Sequence, residues 1–131
     1  MKYLIILCSI LFLIPKLIYA DSIDQKVNQL EECESGRRVN VKYLDWNNEW
    51  SYSSWQFQWK TFVKYNHKFH FRDNLILKDI YDRDLQRRMV IAILTTERYG
   101  WKNWLNCSKK IGLDKWMDTY FEINQNLVLK R

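Results

Sequence analysis

The sequence predicts a single all-α domain behind a short N-terminal leader. Three observations lead to that class. Only three glycines and one proline occur in 131 residues, and the proline, Pro15, lies in the leader. So few breakers disfavour a turn-rich sheet or a flexible linker. Apolar residues recur at helical spacing in several stretches. Beyond the leader 111 residues remain, enough for one hydrophobic core and too few for two.

Met1 to Ala20 carries Lys2, an apolar run from Leu4 to Pro15 and a tail ending Ile18-Tyr19-Ala20. A positive start, an apolar centre and a small residue before a cut at Asp21 are the parts of a secretory signal. The run is shorter than the roughly 20 residues of a membrane span, and Lys16 stands directly after it. The expected organisation is therefore a signal peptide over 1–20 and one domain over 21–131, secreted or periplasmic, monomeric and without a stable membrane span. An uncleaved anchor is the alternative, because Lys16 and the bulky Ile18 make the cut site less than ideal. Cys8 comes after Leu7 rather than a small residue and is not read as a lipid-attachment site.

Ile23, Val27 and Leu30 share one face, so a first helix spans about Ser22 to Glu34, and Gly36 ends it. Val39 to Tyr52 reads as irregular chain, since Asn40, Asp45, Asn47 and Asn48 break any long period. Trp55 to Asn66 reads as a second helix with Trp55, Trp59, Phe62 and Val63 on one side. Phe69 to Lys78 is a loop or short helix, and the alternation in His67 to Phe71 is too imperfect for a strand. The third helix begins at Asp82 or Asp84 and carries Leu85, Met89, Ile93 and Thr96 in one stripe, with Gly100 at its close. Trp101 to Trp104 forms a helical turn. A last helix runs from Leu113 through Trp116, Tyr120, Ile123 and Leu127.

The net charge is +6, or +4 once Lys2 and Lys16 leave with the leader. That balance favours an anionic polymer without choosing between nucleic acid and cell wall. Arg37-Arg38, Arg87-Arg88 and Lys109-Lys110 are short, scattered pairs that read as solvated surface, and no basic motif interleaved with stacking aromatics points to nucleic acid. The only histidines, His67 and His70, have no cysteine or acidic cluster beside them, so neither a metal nor another cofactor is expected. Of the three cysteines, Cys33 and Cys107 remain after processing. Two cysteines in an exported domain read as one disulfide, which stabilises by about 4 kcal/mol in the loop-entropy account.

Glu34 is the carboxylate in a recognisable chemical setting: a helix end, a cysteine beside it, and an aromatic segment, Ser51-Tyr52-Ser53-Ser54-Trp55-Gln56-Phe57, shortly after. Cleaving a glycosidic bond needs a proton delivered to a poor leaving group, and a partly buried carboxylic acid whose pKa is raised toward neutrality supplies it. Many glycosidases add a second carboxylate. Asp45 and Glu49 are the sequence-near candidates, and neither has a distinctive environment. Tyr52, Trp55 and Tyr99 are candidate platforms for sugar rings, with core packing the alternative for each. Trp101 and Trp104 are assigned to packing around the disulfide.

Cys33-Glu34-Ser35-Gly36 resembles the Glu-Ser motif of the lysozyme-like superfamily, in its lytic transglycosylase and goose-type lysozyme branch and that branch's small secreted bacterial forms. Ser51 to Phe57 is similar to the same branch's Ser-Tyr-Gly segment followed by Gln-Phe. Asp84 to Tyr99, with Gly100-Trp101-Lys102-Asn103-Trp104-Leu105-Asn106-Cys107, resembles its closing helix and Gly-Trp-x-x-Trp-x-x-Cys ending. The resemblance covers about Val27 to Cys107. It implies a lysozyme-like helical domain in which Glu34 is the general acid/base, Gln56 faces the substrate near the scissile bond and Ser35 supports the acid.

The implied reaction is cleavage of the β-1,4 bond between N-acetylmuramic acid and N-acetylglucosamine in peptidoglycan glycan strands. In the transglycosylases one glutamate suffices, because the muramoyl 6-hydroxyl attacks the anomeric carbon and leaves a 1,6-anhydro product. Hydrolysis remains the other outcome. One departure stands out: Ser53 occupies the position of the branch's glycine. It leaves a second reading, a non-catalytic lysozyme-like module for glycan binding or envelope assembly.

Overall fold

The computed structural model describes residues 23–128; the leader and its cut site lie outside them. The fold is mostly helical, but it is not all-α: a small antiparallel sheet is inserted between the first two long helices. The first helix, α1, covers residues 23–35. Val27 and Leu30 bury the face that its spacing predicts. Gly36, at φ 61°, ends it with a bond from its N–H to the Glu32 carbonyl at 2.9 Å. The Ser35 hydroxyl donates to the Glu31 carbonyl and accepts from the Arg38 N–H, so the last turn is tied on both sides.

Three short strands come next: β1 (Lys42–Leu44), β2 (Trp50–Tyr52) and β3 (Phe57–Gln58), in the spatial order β1-β2-β3. The register sets Tyr43 opposite Ser51 and Ser51 opposite Gln58. This corrects the reading of Val39 to Tyr52 as irregular. The Asn and Asp residues that spoil a helical period are the turn of a hairpin, with Asn48 at φ 61° and its N–H bonded to the Asp45 carbonyl at 3.0 Å. A second correction moves the next helix, α2, to Trp59–Phe69. Trp55 stays outside it because its polar groups find tertiary partners: its N–H donates to Gln86 Oε1 at 2.9 Å and its indole to the Val27 carbonyl at 3.1 Å.

A 3-10 helix over Leu77–Tyr81 leads to α3 (Arg83–Thr96), capped by the Asp82 carboxylate, which accepts from the Leu85 N–H at 3.0 Å. Leu85, Met89 and Ile93 are buried as the stripe predicts, whereas Thr96 is exposed. A second 3-10 helix, Gly100–Trp104, and α4 (Leu105–Lys110) precede α5 (Leu113–Val128). Gly100 lies beyond the end of α3, and its small size is needed there. A Cβ at this position would lie 2.7 Å from Ile93 Cγ2 and 2.8 Å from the Ile93 carbonyl oxygen.

The core centres on Trp55, Phe57, Phe62, Met89 and Trp104. Phe57 meets Trp104 edge to face at 5.3 Å, and the Trp104 indole donates to the Trp55 carbonyl at 2.7 Å. Gln86, fully buried, accepts from Trp55 and donates to the carbonyls of Tyr52 and Ile80, which fixes the β2–β3 connection onto α3. Cys33 and Cys107 form a disulfide, their Cα atoms 5.8 Å apart, that joins the end of α1 to α4. Among the described residues no helix is long and apolar enough to cross a membrane.

Candidate active site

The end of α1, the β1–β2 hairpin, β3 and the Lys102–Cys107 segment enclose a cleft of about 660 Å³. Glu34 enters it from the last turn of α1, a position fixed by Gly36 behind it and the Cys33 disulfide beside it. Among the described residues no cation or hydrogen-bond donor pairs with its carboxyl. Burial therefore pushes its pKa up, and the negative charge of Asp45 adds to the shift, to about 7. A carboxyl in that state is a proton donor at neutral pH.

Asp45 is the second carboxylate of the cleft. It opens the hairpin turn and is oriented by the Ser51 hydroxyl and by Gln58 Nε2, the latter at 2.9 Å. Sequence alone does not separate it from Glu49, because nothing local distinguishes the two. The strand register does, since it brings Ser51 and Gln58 side by side and within reach of Asp45. Gln58, unassigned from the sequence, also lines the cleft. Asn103 does too, its amide donating to the Gly100 carbonyl at 2.7 Å and to the Tyr65 hydroxyl at 3.2 Å. The available signal was the Asp45-x-Asn47-Asn48 turn between two short β-prone runs.

The predicted site residues divide. Glu34 and Gln56 line the same cleft. Gln56 sits at φ 51°, with its side-chain Nε2 bound to the Ser53 carbonyl at 2.6 Å. Ser35 is buried beneath the helix end and supports the turn that carries Glu34, without facing the cleft. The three aromatic candidates do not line this cleft. Trp55 is 0 % exposed and belongs to the core, so it presents no face to a sugar. Tyr52 alternates to the side opposite Ser51 and packs edge-on against Tyr81 at 5.9 Å. Tyr99, 57 % exposed, lies outside the cleft with the Lys102 ammonium 4.7 Å from its ring centroid.

Ser53, the departure from the glycine of the resembling branch, adopts φ 63° and is fully buried. That left-handed backbone is the conformation that favours glycine. Its hydroxyl has no hydrogen-bond partner among the described residues, so serine is tolerated here at a cost.

No family model, curated protein or solved structure matches the chain. What the site can do is therefore decided by its own chemistry. His67 and His70 stack edge-on at the exposed end of α2, 6.1 Å apart, far from a metal-binding set. Among the described residues no group of three or more His, Cys, Asp or Glu could hold a metal ion.

Proposed function

We propose that the protein is a peptidoglycan-cleaving glycosidase of the lytic transglycosylase type, in which Glu34 acts on the β-1,4 bond between N-acetylmuramic acid and N-acetylglucosamine. The observation that carries this reading is Glu34 itself, unpaired in a polar cleft, with its carboxyl pushed up to about 7. A general acid works best when its pKa lies near the working pH. The Cys33–Cys107 disulfide supports the exported setting in which a wall polymer is met.

Glu34 gives its proton to the bridging oxygen as the bond to the anomeric carbon breaks. The muramoyl 6-hydroxyl oxygen then bonds to that carbon, and its proton returns to the Glu34 carboxylate. No water is consumed, and the product is a 1,6-anhydro muropeptide. Gln56, Gln58 and Asn103 offer amides along the cleft for the sugar hydroxyls and acetamido groups.

A second reading rests on Asp45. A carboxylate oriented by Ser51 and Gln58 in the same cleft is placed to hold a water, and the products would then be reducing sugars. Mass spectrometry of muropeptides released by the mature protein in water enriched in heavy oxygen separates the two. The expected result is anhydro products without solvent label. Labelled reducing ends would establish hydrolysis, and no product from wild type on any wall type would remove the enzymatic reading.

A further inference from the structure

Trp46 is 96 % exposed, the most solvent-open large side chain among the exposed hydrophobic residues, and it borders the cleft that holds Glu34. The turn that carries it is nevertheless held, with the Asp45 N–H bonded to the Glu49 carbonyl at 2.9 Å and the Asn48 N–H to the Asp45 carbonyl at 3.0 Å. Asp45 before it is bound by Ser51 and Gln58, and Asn47 after it accepts from the Glu49 N–H at 3.1 Å and from Gln58 Nε2 at 3.3 Å. A firmly held turn that displays a bare indole gains nothing for folding, since exposed apolar area is left in water.

The other aromatic side chains of the cleft are already engaged. Phe57 and Trp104 are buried against each other. Tyr43 accepts a bond from Arg38 at 2.6 Å, with the guanidinium 5.9 Å from its ring centroid. Trp46 is thus the open aromatic side chain of a cleft whose lining also carries the carboxylates of Glu34 and Asp45 and the amides of Gln56, Gln58 and Asn103.

We propose that Trp46 is the stacking platform for a pyranose ring of a β-1,4-linked N-acetylhexosamine strand entering the cleft beside Glu34, an inference that rests on the glycan-cleaving reading above. The chemistry of such a ring fits both walls. Its axial C–H bonds form an apolar, slightly positive face that suits the negative face of an indole. Its equatorial hydroxyls and acetamido group project from the edge toward hydrogen-bonding groups such as Gln58 and Asp45. A fixed turn lowers the ordering cost of binding, because little beyond the indole rotamer is lost.

The test is titration calorimetry of the Glu34→Gln protein with soluble glycan strands freed of stem peptides, with and without Trp46→Ala. The expected result is a Kd raised about 10–100-fold by Trp46→Ala, the range of a central tryptophan anchor, and largely restored by Trp46→Phe. In the otherwise wild-type enzyme, Trp46→Ala should raise KM for the strands far more than it lowers kcat. Its melting temperature should stay unchanged, since the indole is not packed.

Equal strand affinity with and without Trp46, in a protein that still cleaves wall, would overturn the platform and leave the glycosidase reading standing. Absence of both strand binding and cleavage in wild type would overturn both. Loss of binding to phosphatidylglycerol vesicles on Trp46→Ala, with strand binding intact, would overturn the platform in favour of a membrane-surface contact.

Discussion

Glu31 and Glu34 stand three residues apart on α1, and the elements packed around them treat them in opposite ways. On the α3 side, Glu31 is fully buried and gripped by Arg83, with Nε to Oε1 at 2.6 Å and Nη2 to Oε2 at 2.7 Å. Burial alone would raise its pKa, but the guanidinium outweighs burial and the net shift is downward. Arg83 is itself steadied over the Trp55 ring, 5.7 Å from its centroid. On the hairpin side, Glu34 meets no cation and faces Asp45, so both influences push its pKa upward. The lesson is that proton affinity here is set by what the neighbouring elements bring. One helix holds a paired anion and, less than a turn later, a carboxyl that keeps its proton up to about 7.

The largest effect expected from breaking this contrast is on catalysis. Glu34→Gln keeps the size of the side chain but removes the proton, and should slow glycan cleavage by about 10²–10⁴-fold. Release of muropeptides from purified wall, followed over time, measures it. Next comes the structural partner. Arg83→Met leaves Glu31 buried beside an apolar side chain and should cost about 3 kcal/mol in chemical denaturation, at the lower end for a broken buried pair because Glu31 can take up a proton instead. The reverse change, Glu31→Gln, should cost less, since Arg83 is 43 % exposed and can turn to water.

The two glutamates also give opposite pH signatures. Glu34 binds its proton more tightly folded than unfolded. Its contribution is therefore fully present below the ordinary carboxylate range and is lost as pH rises through about 7. A shift of that size corresponds to up to about 3 kcal/mol. Glu31, whose pKa is lowered, contributes stability above the ordinary range that is lost as pH falls. Denaturation curves at pH 5 and pH 9 should show Glu34→Gln more stable than wild type at pH 9 and nearly equal to it at pH 5. Equal stability at both would contradict a partly buried, unpaired Glu34.

Much of this was legible in the sequence, and for reasons that differ by residue. Val27, Leu30, Leu85, Met89 and Ile93 announced their helices because a 3.6-residue period is a local signal. Gly36 and the two cysteines were found because each carries local chemistry, and Glu34 was singled out on the same ground. The three-stranded sheet was not, since two- and three-residue strands leave no period to detect and their turn residues read as irregular chain. Asp45 and Gln58 acquire a role only through register. Trp55 was placed on a helix face by spacing alone, while its burial depends on Gln86, thirty-one positions away.

The smallest predicted effect concerns Ser53, whose departure from the resembling branch has a physical counterpart. Ser53→Gly should relieve the left-handed backbone and the unpaired hydroxyl, and glycine's extra freedom in the unfolded chain offsets part of that gain. A net stabilisation of about 1 kcal/mol is expected in thermal melts, with cleavage unaffected or improved.

The most direct test of the contrast between the two glutamates is a side-chain carboxyl NMR titration of the wild-type protein that follows Glu31 and Glu34 separately. The expected midpoint is near 7 for Glu34 and below the ordinary glutamate range for Glu31. Both residues titrating together in the ordinary range would contradict it, because neither the ion pair nor the unpaired acid would then exist in solution.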